Sequence, residues 1–280
     1  MNRAKIAKRT KDYVYAAFLL FLSFVMLIPF LWMFSTSFRP PSESYKLPPS
    51  FIPTSFEIHN YEAVLFSSIP FFRMLWNSVL VAVVVTIAQL ITCSMAAYAF
   101  ARLHFRGKGL IFAILMSTLM VPSQVTIIPT FIALSKIRLT DTLFSLILPY
   151  ITSVFGVFLL RQFFLSLPKE LEESGMIDGA NYRQIFVRLI MPQCGSAMAA
   201  LCVLQFLNSW NNYFTPLIFI RTWEKMTLPL GIASLQGYMG SGNLSEIMAG
   251  VTLAMLPMMV IFLFAQRYFI EGIAMSGIKD

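Results

Sequence analysis

The stretch Pro168-Lys-Glu-Leu-Glu-Glu-Ser-Gly-Met-Ile-Asp-Gly-Ala-Asn-Tyr-Arg-Gln-Ile-Phe-Val-Arg-Leu-Ile-Met-Pro192 decides how this chain is built. It carries too many charges to sit in lipid, yet one apolar run precedes it and another follows. Pro168 suits the first turn of a helix, where its missing N–H is no loss, and Gly179 suits the left-handed position that ends one. Together they predict a first short helix over 168–178. Asn181 can accept from the backbone of a second helix while Gln184, three residues on, reaches back to it, and Pro192 lies beyond the far end. The expectation is helix, glycine turn, helix. Leu171, Ser174 and Gly175 fall on one side of the first helix, and Tyr182, Ile185, Phe186 and Leu189 on one side of the second. An amphipathic surface element of this kind can dock into a groove of another protein.

Outside this stretch the chain is strongly apolar. Of its 280 residues 58% are hydrophobic and 12% charged, and the mean hydropathy is +0.73, which places it in the membrane class as one integral domain. Cys93, Cys194 and Cys202 lie in or beside apolar runs and are odd in number, so neither a disulfide framework nor a zinc site is indicated.

Read in order, residues 1–12 form a basic tail and 13–34 a first span, longer than the core of a signal peptide and long enough to cross a bilayer. Residues 37–73 are polar and rich in proline, an external loop with a short surface helix expected over 60–65. Further spans are expected over 76–101, 110–134, 142–165, 195–220 and 246–270. Pro122 and Pro129 interrupt the third around Ser123 and Gln124, an irregularity tolerated only against protein or a water-filled cavity. The charged stretch 167–192 then falls between the fourth and fifth spans. The fold class is an all-α integral membrane protein with six transmembrane helices, 13–270, and a last tail over 271–280.

Six spans put both ends on one face. Arg3, Lys5, Lys8, Arg9, Lys11, Arg102, Arg106, Lys108, Arg161, Lys169, Arg183, Arg188, Arg267 and Lys279 share that face with 167–192. The opposite face holds only Arg39, Lys46, Arg73, Lys136, Arg138, Arg221 and Lys225. The positive-inside rule makes the first face cytoplasmic. The net charge of +8 is therefore topology and not a nucleic-acid surface.

No catalytic constellation emerges. His59 and His104 fall in regions assigned to opposite faces, and no phosphate-binding Gly-rich loop is present, so no metal, cofactor or nucleotide site is expected. Polar residues inside the spans are more informative, because each must find a partner or face a cavity. The richest set is Asn208-Ser-Trp-Asn-Asn-Tyr213, where Asn208, Asn211 and Asn212 can share a helical stripe with Trp210 turned away. Asparagines beside aromatic rings suit a neutral polyhydroxylated solute, and they serve equally as glue between helices. Gln124 and Tyr150 are further candidates for a solute path.

These residues carry a resemblance. Glu173-Ser-Gly, Asp178-Gly-Ala and Leu189-Ile-Met-Pro192 are similar, in content and spacing, to the Glu-Ala-Ala loop of type I ABC importer permeases, with Ser174 and Gly175 in place of two alanines. Both keep the small size that lets a partner's backbone come close. Val121-Pro-Ser-Gln, Trp210-Asn-Asn-Tyr-Phe-Thr-Pro-Leu217, Thr227-Leu-Pro-Leu-Gly231 and the ending Phe269 to Lys279 resemble the carbohydrate branch of that family. The resemblance implies a permease subunit of a bacterial inner-membrane sugar importer. It implies three kinds of protein partner, a second permease, two cytoplasmic ATP-binding subunits and an extracytoplasmic solute-binding protein, beside the bilayer that the composition already calls for. It further implies ATPase coupling through Glu173, Ser174, Gly175, Asp178, Gly179, Ala180, Phe186 and Pro192. The alternatives are a permease for another polar solute and a membrane-embedded enzyme, which would need a buried acid, base or metal cluster.

Overall fold

The computed structural model describes residues 3–44, 51–237 and 242–277, and every regular element among them is helical. Helix α1 (Arg3–Ser37) leads to α2 (Pro41–Ser44) and α3 (His59–Ala63), which continues as one π-helical turn, Val64–Ser68. The long α4 (Phe71–Arg102) follows. Next come α5 (Lys108–Ser117), α6 (Ser123–Lys136), α7 (Phe144–Ile147) and α8 (Val154–Ser166). The charged stretch holds α9 (Glu170–Ile177) and α10 (Tyr182–Gln184), the latter running through a π-helical segment, Ile185–Ile190, into α11 (Met191–Gln193). The chain closes with α12 (Gly195–Trp210), α13 (Phe214–Phe219), α14 (Leu228–Ser234) and α15 (Leu244–Gly277). Lys46, Lys279 and the last part of the expected tail, 278–280, lie outside the described residues.

Among the described residues four segments are long and apolar enough to cross a membrane: Lys11–Ser37, Phe71–Arg102, Phe144–Ser166 and Leu244–Leu263. Two bent pairs complete the set to six if each is one span: Lys108–Met120 with Ser123–Lys136 at 102°, and Tyr182–Gln193 with Gly195–Trp210 at 80°. The third expected span is thus broken at Pro122, whose ψ of 133° is not helical, whereas Pro129 lies inside α6 and interrupts nothing. In the fifth, α12 stops at Trp210, and its sixteen residues extend about 24 Å, short of the ~30 Å hydrocarbon core.

The chain forms two compact units, Met1–Ile69 with Ile232–Leu253, and Pro70–Gly231 with Ala254–Asp280. In the first, Asn60 closes off the end of α1: its Nδ2 donates to Ser37 O at 3.0 Å and to Arg39 O at 2.9 Å. The Tyr61 and Ser37 hydroxyls meet at 2.7 Å beside the Phe38 ring. Ser68 Oγ donates to Glu246 Oε2 at 2.9 Å.

The second unit is organised by α4. Cys93 and Ala97 on α4 pack with Val157, Leu160 and Phe164 of α8 and with Ala197 and Leu201 of α12. Small residues let membrane helices approach closely, and Gly156 marks one such approach. A Cβ there would stand 3.0 Å from Cys93 Sγ and 3.1 Å from Leu201 Cδ1. The polar side chains of α4 satisfy irregular backbone around it. Between α7 and α8 the helix is interrupted, and the freed carbonyls of Tyr150 and Ile151 accept from Gln89 Nε2 and Thr92 Oγ1, both at 2.7 Å. Cys93 Sγ lies 3.3 Å from both the N and the O of Ser153. Broken backbone persists at membrane depth only where such partners exist. Near its other end α4 places Asn77 Nδ2 2.9 Å from the carbonyls of Glu224 and Met226, and Ser78 Oγ accepts from Leu228 N at 2.7 Å. Gly231 completes this seat, since a Cβ there would collide with the fully buried Met74.

Candidate functional site

Two places concentrate polar chemistry, the hairpin of α9 to α11 and a cleft beside α4. The hairpin's link is specified residue by residue. Gly179 takes φ +78° and donates to Met176 O, while Ala180 N donates to Gly175 O at 2.9 Å, the paired bonds of a Schellman turn. Asn181 Oδ1 then accepts from Gln184 N at 2.9 Å, and Gln184 Oε1 from Asn181 N at 2.8 Å, a complete capping box. Glu170, Glu172 and Glu173 occupy the first turn of α9, where the helix dipole favours anions.

Several details differ from the sequence reading. Helix α9 starts at Glu170, so Pro168 precedes it and does not open its first turn. Gly175, grouped with Ser174 as a surface for a partner, faces inward: a Cβ would stand 2.7 Å from Leu189 Cδ1 and 3.3 Å from Ile185 Cγ1. Its smallness serves the hairpin's own crossing, while Ser174 is exposed. Pro192 does not lie beyond the second helix but inside its continuation. The π-helical winding ahead of Pro192 shifts the register, because each turn there takes more residues than an α-turn. Ile185 and Ile190 are therefore both fully buried, Phe186 and Leu189 are half-buried, and Tyr182 is exposed.

The hairpin is fastened to α4 and α8. Arg102 Nη2 donates to the carbonyls of Phe164 and Leu167, both at 2.6 Å, and its Nε stands 3.1 Å from Glu172 Oε1 without the alignment of a hydrogen bond. Burial raises the Glu172 carboxyl above its ordinary pKa, against the opposing pull of Arg102 and Lys169. Tyr98 packs on Phe186 at 5.0 Å and edge-on to Phe164 at 6.2 Å. Glu173, Asp178, Met176 and Ile177 remain on the outside, with Ile177 86% exposed.

The cleft consists of two adjoining cavities that share Tyr150 and Asn212. The smaller, about 90 Å³, is lined among others by Val81, Val85, Gln89, Gln205, Asn208 and Thr227. The larger, about 310 Å³, is lined among others by Ser123, Gln124, Thr126, Thr130 and Thr215. Among the described residues no Asp, Glu, Lys, Arg or His lines either one. Tyr150 Oη and Thr215 Oγ1 meet at 2.7 Å, and Asn212 binds both Thr215 N and Thr215 Oγ1 at 3.1 Å.

Of the sequence candidates, Asn208, Asn212, Gln124 and Tyr150 face this cleft, while Asn211 is exposed and lines neither cavity. The three asparagines do not share one helical stripe. Helix α12 ends at Trp210, so Asn211 and Asn212 belong to the turn before α13, and no helical angle relates them to Asn208. Trp210 is buried and stacks on Phe206 at 5.8 Å. Gln89 and Gln205 are amides inside expected spans, the same signal that singled out the asparagines, whereas Thr227 lies between two expected spans and carries no such signal. Among the described residues no group of three His, Cys, Asp or Glu could hold a metal.

Residues 88–274 match the family described as binding-protein-dependent transport system inner membrane component. The arabinooligosaccharides transport system permease protein AraQ of Halalkalibacterium halodurans is 34% identical over 261 residues, 92% of this chain and 93% of that protein. The sn-glycerol-3-phosphate transport system permease protein UgpE of Escherichia coli is 33% identical over 261 residues, covering 90% and 92%. Among solved structures, a chain of a bacterial ABC transporter involved in the import of the acidic polysaccharide alginate superposes with a TM-score of 0.79 at 23% identity. It covers 96% of this chain and 99% of that one, a likeness of fold.

Proposed function

The chain belongs to the family of binding-protein-dependent transport system inner membrane components, and on that premise we propose that it supplies half of the translocation path of an ATP-driven importer for a neutral sugar or oligosaccharide. The observation that carries the substrate class is the cleft without charge. Amide, hydroxyl and phenol groups alternate there with Val81, Val85, Leu146 and Pro216, a lining suited to a molecule with hydroxyl edges and C–H faces. The relatives named for glycerol 3-phosphate and alginate concern anions, for which a cationic partner is the expected recognition element.

In this reading the protein crosses the bacterial inner membrane six times with both termini cytoplasmic. A second permease subunit completes the path, two cytoplasmic ATP-binding subunits drive it, and an extracytoplasmic solute-binding protein delivers the solute. The hairpin meets the ATPase through the exposed Glu173, Ser174 and Asp178, held in place by the turn at Gly179 and Ala180. Gly175, Phe186 and Pro192 shape it from within. The Arg102–Glu172 pair and the Tyr98–Phe186 contact tie the hairpin to α4, so that closure of the ATPase dimer moves hairpin and spans as one body.

The test is solute-stimulated ATP hydrolysis and uptake by the whole complex in proteoliposomes. Arabinobiose and other neutral disaccharides should stimulate both, and glycerol 3-phosphate should not. Stimulation by the phosphate alone would overturn the substrate class.

A further inference from the structure

Two residues that line the smaller cavity each carry a buried polar atom with no hydrogen-bond partner among the described residues. Gln89 is 4% exposed, and its amide is fixed by the 2.7 Å bond from Nε2 to Tyr150 O. That assignment leaves Oε1 as a pure acceptor, with no hydrogen-bond partner among the described residues. Thr227 is 5% exposed, and its Oγ1 is likewise unpartnered. Buried polar atoms are nearly always satisfied, so two of them on residues that line one cavity point to something that enters it. Along α4, Val81, Val85 and Gln89 follow at four-residue spacing, so one wall of the cavity extends about 12 Å and ends at Gln89.

We propose that Gln89 and Thr227 form a hydroxyl-binding subsite, in which Gln89 Oε1 accepts from a sugar O–H and Thr227 Oγ1 exchanges a hydrogen bond with a second sugar oxygen. This rests on the reading of the chain as a sugar permease and adds to it the residues that discriminate. At about 90 Å³ the recess is smaller than pockets for whole small molecules, which begin near ~300 Å³. It takes one hydroxyl-bearing edge of a ring, and the body of the solute occupies the adjoining 310 Å³ space across Tyr150 and Asn212. Val81 and Val85 underlie the C–H face. The uncommitted polar side chains Asn208 and Ser209 border the same recess.

Thr227→Val tests this, because it removes the hydroxyl and keeps the shape. In the complete importer with its own binding protein, the variant should lower kcat/KM for the neutral disaccharide that the wild type carries by roughly fivefold to twentyfold, the worth of one hydrogen bond. Thr227→Ser should restore it. Among monodeoxy analogues of that sugar, the one lacking the bonded hydroxyl should be carried equally by wild type and Thr227→Val. Equal kcat/KM for wild type and Thr227→Val on the parent sugar would overturn the subsite and leave the permease reading intact. Poor assembly of Thr227→Val rescued by Thr227→Ser would overturn it as well, since the hydroxyl would then serve the fold through a buried water. A wild-type complex that carries no neutral disaccharide would refute the underlying reading instead.

Discussion

Arg102 Nε stands 3.1 Å from Glu172 Oε1, with side chains 5% and 12% exposed, while the next residue, Glu173, points outward. Two adjacent carboxylates therefore do different work. Glu172 is the internal counter-charge to an arginine that also binds two carbonyls at the end of α8, and Glu173 is exposed. Breaking a buried pair costs more than its net worth, because the remaining charge is stranded.

Arg102→Met should therefore destabilise the protein more than Glu172→Gln. The first strands Glu172 and two carbonyls, a loss of about 3–5 kcal/mol, and the second leaves the arginine its carbonyl partners. Thermal unfolding in detergent checks the order. The pH profile is a separate readout. The Glu172 carboxyl is raised by burial, so the stability that its neutral form contributes is complete below the unfolded value near ~4.3 and is lost as pH rises through the raised folded value. Glu172→Gln should flatten that part of the profile.

Asp141 titrates in the opposite sense. Burial alone would raise its carboxyl, but hydrogen bonds from Thr222, Arg221 and Lys225 outweigh that and hold it far below the usual carboxylate range. Its contribution is present above the unfolded value near ~3.9 and is lost as pH falls below it. Asp141→Ala should lower Tm at pH 7 and remove the acid-side decline between about pH 4 and 2. An unchanged acid limb would show that the node does not hold these loops.

Gly156→Val places methyl groups against Cys93 Sγ, which cannot yield freely because it lies against both the N and the O of Ser153. Overpacking of this kind costs about 1–3 kcal/mol. The yield of folded protein should fall, and a companion Cys93→Ala should recover part of it. No recovery would place the strain elsewhere.

Glu173→Lys and Gly179→Val separate docking from shape. A Cβ at Gly179 meets nothing within 4 Å, so the cost there is the left-handed backbone alone, about 1–2 kcal/mol. Glu173→Lys should leave Tm unchanged and weaken attachment of the ATPase, whereas Gly179→Val should lower both. Normal ATPase attachment in Glu173→Lys would remove this residue from the coupling surface.

Asn212→Leu should alter uptake, whereas Asn211→Leu should behave as wild type, because only Asn212 reaches the cleft and holds Thr215. Uptake of two competing sugars, run beside a measurement of assembled complex, checks both variants. An effect on sugar preference from Asn211→Leu would contradict the geometry.

By itself the sequence determined whatever depends on composition and near neighbours. Apolar run length set the membrane class, and Gly179, Asn181 and Gln184 wrote a turn whose hydrogen bonds close within a few residues. The separate fates of Glu172 and Glu173 were beyond such reading, because burial at the hairpin depends on Arg102, seventy positions earlier. The same holds for Gly175, which looks like a surface residue until Leu189 crosses it. The cleft was half legible: asparagines in an apolar run announced it, but the end of α12 at Trp210 removed the helical phase that would have grouped them. Only tertiary structure could decide that Gln89 binds the backbone of a broken span with one atom and leaves the other bare. The hydrogen bonds of an interrupted helix are satisfied across space, by whichever side chain the packing brings near.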